Sequence, residues 1–323
     1  MVGRSRDHRV MAPSLSTRQK GIGIAALTAV ISGFAVFING YGVRAWLEVS
    51  DATTYTILKN LVAALVIGVA AGSMVLRRAR ERPRLPETRR DRWMLGGVAL
   101  VGGSIPFVLF FEGLSRAASV QAAFIHKTLI IWVAAMALVF LKERMSWAHL
   151  VAIGVLVWGQ LILMGSPSGG FGVGEAMILG ATLLWSVEVI VAKRLLAGVP
   201  STTVAVARMV GGSVVLVGWG LIRSAEANWA AVSVTHVVWV MVTGLILSGY
   251  VLSWFAALKR APAIDVTAVL VAGAVITAIL QTTVRGVPLP AVGGLVLLAV
   301  GSAVAGLASW RARGGSRDTH IRA

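Results

Sequence analysis

The stretch FEGLSRA at residues 111–117 returns as FAALKRA at residues 255–261, so the pattern Phe-x-x-Leu-x-Arg-Ala occurs twice, 144 residues apart. Both copies lie in a very apolar chain of 323 residues, of which 57% are hydrophobic and 13% charged, with a mean hydropathy of +0.83. A soluble domain is about 45–50% apolar and about 25% charged. Apolar stretches of 18 or more residues can cross the hydrocarbon core, so we expect a polytopic membrane protein.

A second repeated pattern supports the duplication suggested by the first. Thr53-Thr54 is followed by Lys59, and Thr202-Thr203 is followed by Arg208, at an offset of 149 residues. Matches of Leu and Ala arise by chance in a sequence of this composition. Two repeated patterns with similar offsets nevertheless predict that the chain consists of two related halves.

The net charge of +17 does not indicate a nucleic-acid-binding protein, because the basic residues cluster at the ends of apolar stretches. At those places cations fix orientation and meet anionic lipid at the cytoplasmic face. The chain has no cysteine, which excludes disulfides, thiolate metal sites and thiol catalysis.

The apolar stretches predict ten spans, and helices are expected because lipid offers no partner to backbone amides. The first is retained rather than cleaved, because its apolar stretch is longer than that of a signal peptide. The predicted spans are 21–43, 54–76, 93–114, 117–140, 147–165, 173–196, 201–223, 235–258, 262–284 and 288–310.

Basic residues alternate across these spans. One side receives 23 of them, the other receives four, and Lys59, Lys127 and Arg208 lie within spans. The positive-inside rule therefore places both termini, the basic tails 1–20 and 311–323, in the cytoplasm of a multi-pass cell-membrane protein.

The duplication is predicted to be inverted. Five spans separate Arg116 from Arg260, and an odd number places the two arginines on opposite faces of the membrane. The predicted fold is an all-α polytopic membrane protein with ten transmembrane helices in two inverted five-helix repeats, 21–165 and 173–310, joined by a linker at 166–172. Many secondary transporters have this arrangement.

Residues 111–163 resemble the fourth and fifth helices of the EamA-type transporters of the drug/metabolite transporter superfamily. The turn Lys142-Glu143-Arg144-Met145-Ser146 matches that family's pattern, and the resemblance extends over about residues 21–310. Two departures are the absence of proline in 128–132 and of an acidic turn in the second half. The resemblance implies ten helices in two inverted repeats and movement of a small organic solute, with export favoured.

Polar residues inside the membrane are the candidate solute-binding residues, because burying them is costly. Lys127 lies close to the midplane, where it would bind an anionic group or form an ion pair with a buried glutamate. Its neighbour His126 points about 100° away and would titrate or make an interhelical hydrogen bond. Trp185 would stack against a ring-bearing solute or pack in the core, and the amides of Asn39 and Gln121 would reach a cavity.

Four other residues are candidates for coupling or gating. Glu188 would carry a coupling proton, or neutralise Lys127 or Arg208. Lys59 and Arg208 occupy equivalent places in the two halves and match a position where the family usually has an arginine. Glu112, near the outer end of its helix, would form a lip or gate.

These features predict a secondary transporter of a small organic metabolite, such as an amino acid or organic anion, that acts by alternating access. No phosphate-binding glycine loop, metal-ligand pattern or catalytic set is visible in the sequence, so we expect no cofactor, no metal and no enzymatic activity. The expected partners are the solute and anionic lipid, for a monomer or a homodimer. The alternatives are a non-transporting membrane scaffold and an intramembrane enzyme.

Overall fold

The structure is a computed structural model that describes residues 15–79, 82–114, 116–117, 125–164, 171–223, 227–286 and 291–311. Within these ranges the chain is helical apart from short connections and contains no strand. The helices are α1 (Thr17–Leu47), α2 (Ala52–Leu76), α3 (Arg89–Val101), α4 (Ile105–Leu114), α5 (Leu129–Met136), α6 (Trp147–Met164), α7 (Val173–Leu195), α8 (Ser201–Val206), α9 (Gly212–Ile222), α10 (Val234–Arg260), α11 (Ala263–Leu270), α12 (Ala272–Arg285) and α13 (Val292–Arg311).

Eight helical segments of the described chain are long and apolar enough to cross a membrane, with α3–α4, α8–α9 and α11–α12 each counted as one. The predicted spans 117–140 and 147–165 correspond to two shorter apolar helices, Ile125–Leu141 and Trp147–Leu163. The chain is a multi-pass membrane protein, while the count of ten and the inverted relation of the halves stay predictions.

Local sequence signals explain where several helices begin. Ser16 and Gln19 form a capping box at the start of α1, in which each side chain accepts the other's backbone N–H. Asp51 caps α2 by accepting from the Thr54 N–H at 2.6 Å, and Thr88 caps α3.

Small residues let α1 approach its neighbours closely. Gly21 lies against Ala261 at the end of α10, and Gly33 lies against Ile276 of α12, so that a methyl group at either glycine would come within 2.8 Å of its neighbour. This is the expected use of small residues in lipid, where close helix contact provides the packing energy. Gly244 of α10 similarly fits against Val62 of α2. These contacts bring α1, α2 and α10 together around the candidate site.

Among the irregularities that interrupt spans, two lie beside the candidate site. The third span breaks at residues 102–104, between α3 and α4, and residues Ala207–Gly211 form a π-helical segment between α8 and α9. Such π segments often mark functional sites, because they present a side chain that a regular helix would place elsewhere. Here the segment carries Arg208.

Large apolar side chains cover the outer surface, as lipid requires. Leu65 and Val69 of α2 and Val214 of α9 are each about two-thirds exposed. An aqueous surface rarely carries so much contiguous apolar area, which agrees with a membrane location.

Candidate functional site

A buried ion pair lies at the centre of the second half. The Arg208 Nε donates to Glu188 Oε1 at 2.6 Å, and the two side chains are only 8% and 4% exposed. The Arg208 guanidinium also lies over the ring of Phe107, 5.8 Å from its centroid. Of the two neutralising partners that the sequence left open for Glu188, the structure selects Arg208.

The break in the third span makes room for this pair. Gly102 packs directly on the Glu188 carboxyl group, and Gly103 packs on the backbone carbonyl of Arg208. Trp185, one turn before Glu188, donates its indole N–H to the Gly102 carbonyl at 3.2 Å. This bond satisfies a carbonyl that the interrupted helix leaves free.

Lys59 lies at the corresponding place in the first half. Its Nζ donates to Asn39 Oδ1 at 3.0 Å and lies 5.2 Å from the centroid of the Tyr55 ring. The Tyr55 hydroxyl is 3.1 Å from the same Asn39 oxygen and 2.8 Å from Thr243 Oγ1. Lys59 is 7% exposed, and no carboxylate of the described residues lies within ion-pair distance of it.

Five rings join the two charged positions, and we call them the aromatic cluster: Phe107, Phe110, Phe111, His126 and Trp185. His126 contacts Trp185 and Phe110 edge-on, with centroid distances of 5.0 and 5.3 Å. Phe111 lies 5.4 Å from Lys59 Nζ at one end, and Phe107 touches Arg208 at the other. The His126 Nδ1 atom is buried and has no hydrogen-bond partner in the described chain.

Lys127 faces a different direction from its neighbour. It borders a small cavity of about 20 Å³, together with Gln160 of α6 and Val271 at the break between α11 and α12. The Gln160 Nε2 is buried without an acceptor among the described residues. The other side chains that line this cavity are mainly apolar. Lys127 and Gln160 therefore bring hydrogen-bond donors to a mainly apolar cavity wall.

Glu112 lies at the end of α4 predicted to face outward. Its carboxylate accepts from Arg116 at 2.8 Å and pairs with Arg223, which follows α9. Glu112 thus ties together the ends of two helices that approach the membrane surface.

A second polar network lies at the opposite end of the bundle. Asp265 of α11 is 1% exposed and accepts from Arg18 of α1 at 2.8 Å. Its other oxygen lies 2.6 Å from His149 Nε2 of α6, while Ser309 of α13 donates to the same oxygen as Arg18 does. Four helices from both ends of the chain are therefore joined through one carboxylate.

Glu143 caps the start of α11 beside this network. Its carboxylate accepts the backbone N–H groups of Ala263 and Ile264 at 2.8 and 3.2 Å. Burial raises the pKa of the Glu143 carboxyl above its ordinary value, while the two backbone donors oppose that rise.

Family comparison agrees with this architecture. The model of the EamA-like transporter family matches residues 19–165 and again residues 172–307. The chain belongs to the EamA-like transporter family. It is therefore a membrane transporter of the drug/metabolite transporter superfamily, as the resemblance predicted.

Comparison with curated proteins gave no match. Among solved structures, one titled "Crystal structure of protein" is 20% identical to this EamA-like transporter over 92% of its chain and 99% of the other, with a TM-score of 0.71. Identity at that level supports the fold alone.

The structure brings most of the predicted site residues of this EamA-like transporter into one connected region. Asn39, Lys59, His126, Trp185, Glu188 and Arg208 are joined through the aromatic cluster. Lys127 borders the separate cavity, and Glu112 lies at the predicted outer end. Gln121 lies outside the described residues.

Sequence reasoning missed several members of the site. Phe107, Phe110 and Phe111 precede the repeated motif or belong to it, yet aromatic residues in an apolar span give no signal of function. Tyr55 could have been suspected, because it lies one turn before Lys59 on the same helix face. Thr243, on another helix, joins the site through its contact with Tyr55. The Gly102-Gly103 pair was the visible signal for the break beside Glu188.

Proposed function

We propose that this chain is a secondary transporter, driven by a gradient or by exchange, that exports a small organic solute by alternating access. The solute would be an amino acid or an organic anion. The observation that carries the proposal is the connected interior region that joins Lys59, the aromatic cluster and the Glu188–Arg208 pair. A structural scaffold has no need of charges so deep in the membrane, where each is costly.

Each part of this region has a proposed task. The rings of Phe110, Phe111 and Trp185 hold the apolar body of the solute, since aromatic faces bind such groups over a large area. Asn39 and His126 supply polar contacts. Gln121, outside the described residues, keeps its predicted solute-binding role.

Lys127 is proposed as a further anion-binding residue. It and His126 are consecutive on one helix, so they present two adjacent walls, one to the cavity with Gln160 and one to the aromatic cluster. An ion pair between Lys127 and Glu188 would favour the scaffold alternative. Glu188 pairs with Arg208 instead, and Lys127 borders a small cavity of about 20 Å³, which supports the proposal.

Coupling and gating are assigned to the charged residues. Glu188 would accept a proton when its contact with Arg208 loosens, since a buried carboxylate without a partner favours its neutral form. Lys59 and Arg208 would hold the two halves at equivalent points. Glu112, bridging Arg116 and Arg223, would close the outer end.

The topology that goes with this function is the predicted one: repeats 21–165 and 173–310, inverted about the linker 166–172, with both termini in the cytoplasm. Because the chain has no native cysteine, single cysteines report position cleanly. In intact cells an impermeant maleimide should label Arg116→Cys but not Arg260→Cys. Labelling of both from outside would overturn the inversion.

Transport itself is tested with purified full-length protein in liposomes. The lumen is loaded with a labelled panel of amino acids, organic acids and organic cations, and exchange is measured with and without a pH gradient. The proposal expects saturable movement of at least one solute class that stops in the Lys59→Met and Glu188→Gln variants. Absence of movement for every class would contradict it.

A further inference from the structure

The two buried cations occupy equivalent places but have different partners. Lys59 and Arg208 are related by the offset of 149 residues, and each donates to a residue that lies 20 positions earlier in the chain. Those acceptors, Asn39 and Glu188, are separated by the same 149 residues. The two halves therefore repeat one contact, between the first and second helices of each half.

The repeated contact differs in charge. Arg208 meets a carboxylate, whereas Lys59 meets the neutral amide of Asn39. An ammonium group has three donors, and Asn39 Oδ1 accepts from one of them. The Lys59 Nζ also lies near the faces of Tyr55 and Phe111, which attract a cation without neutralising it. Among the residues that the structure describes, Lys59 thus lacks the carboxylate partner that Arg208 has.

Burying a cation without a counter-ion costs free energy. The equivalent cation in the second half, Arg208, is neutralised by a carboxylate, so a carboxylate is the kind of group that would complete the Lys59 site. We propose that Lys59 and Asn39 bind a carboxylate group of the transported solute, which supplies beside Lys59 the negative charge that Glu188 supplies beside Arg208. This inference rests on the proposed transport function and specifies its substrate class. The class is a carboxylate-bearing solute with an apolar body.

The surroundings fit such a body. Phe111 lies beside Lys59, Phe110 lies 5.6 Å from Phe111, and Trp185 lies 5.6 Å from Phe110. A carboxylate on Lys59 therefore directs the rest of the solute along the rings of the aromatic cluster. The Tyr55 hydroxyl donates within the same group of contacts, to Thr243 Oγ1 at 2.8 Å, and lies 3.1 Å from Asn39 Oδ1.

The decisive variant supplies the missing charge from the protein. Asn39→Asp is nearly isosteric and places a carboxylate beside Lys59, copying the second half, so it should fold and should compete with the solute. Asn39→Leu is the matched control, because it removes the amide without adding a charge. Lys59→Met removes the cation, and Lys59→Arg keeps it.

Binding is measured as thermal stabilisation of the purified full-length protein in detergent by 3-phenylpropionate, with the neutral amide 3-phenylpropanamide as the comparison ligand. The wild type should be stabilised by the carboxylate and not by the amide. Asn39→Asp and Lys59→Met should weaken carboxylate binding about tenfold or more, because a charge-assisted contact is lost. Lys59→Arg should keep the preference for the carboxylate, and Asn39→Leu, which adds no charge, should bind the carboxylate more tightly than Asn39→Asp does.

Two results would overturn this assignment: equal stabilisation by the amide and the carboxylate, or unchanged carboxylate binding in Asn39→Asp. If Asn39→Asp does not fold, Lys59→Met against Lys59→Arg decides the question in the same way. The liposome panel separates this inference from the transport proposal. Movement of neutral or cationic solutes but not of carboxylates would leave the transporter standing and overturn the carboxylate site.

Discussion

Breaking the Glu188–Arg208 pair from one side should strongly destabilise the protein. Both side chains are more than nine-tenths buried and meet at 2.6 Å. Two unit charges about 4 Å apart interact by about 4 kcal/mol at an effective dielectric constant of about 20. Removing one partner of a buried pair costs about 3–5 kcal/mol, because the other charge stays buried without compensation. We therefore expect Glu188→Gln and Arg208→Met each to lower the free energy of unfolding by about that amount.

The double variant Glu188→Gln/Arg208→Met should recover most of this loss, since it leaves no isolated charge, and should lie within about 1 kcal/mol of the wild type. The assay is SDS-induced unfolding in mixed micelles, followed by far-UV circular dichroism for the wild type, both single variants and the double variant. The four values form a double-mutant cycle. Single variants that cost less than about 1 kcal/mol, or a double variant whose loss equals the sum of the single losses, would refute the reasoning.

Three further predictions concern the surroundings of the site. Gly102→Ala would press a methyl group into the Glu188 carboxyl, so it should lower the free energy of unfolding by about 1–3 kcal/mol and lower the melting temperature with it. The control Gly96→Ala should leave the melting temperature unchanged, because a methyl group there meets open space. Equal effects of the two variants would contradict the packing at Gly102. Burial raises the pKa of Glu143 above its ordinary 4.5. Glu143 should therefore contribute to stability below pH 4.5, and this contribution should be lost as the pH rises through the raised pKa. Melting curves from about pH 4 to 8 should show this decline in the wild type and not in Glu143→Gln, and parallel curves would count against it. Lys127→Met should raise the KM for an organic anion several-fold in liposomes, and an unchanged KM would remove Lys127 from the binding site.

The sequence predicted the membrane class and the order of the apolar helices because these depend on composition. It predicted the family because residues 111–163, with the turn at 142–146, resemble that family. It placed the third span as one element at 93–114. The structure divides that element at residues 102–104, where Gly102 packs on the Glu188 carboxyl and Gly103 packs on the Arg208 backbone carbonyl. Such a break depends on tertiary contacts that no local pattern encodes.

The individual site residues were more predictable than their pairing. Burial cost selected Lys59, Arg208 and Glu188, and the repeat singled out the two cations, but the direction of a side chain depends on which helices meet. The sequence places Lys127 close to the midplane, yet it borders the cavity with Gln160 rather than the aromatic cluster. The equivalence of Asn39 and Glu188 follows from the offset of 149 residues, and only their shared contact pattern gave it physical meaning.

Alternating access requires the region around Lys59 to open to the two sides of the membrane in turn. Thr243, which contacts Tyr55 there, and Thr28 of α1, away from the site, are both threonines with at most 1% exposure. In a chain without native cysteine, Thr243→Cys should react with an impermeant maleimide from either side of sealed vesicles and be protected by 3-phenylpropionate. Thr28→Cys should stay unlabelled. Thr243→Cys that is labelled from one side only, or from neither, would contradict alternating access at this site.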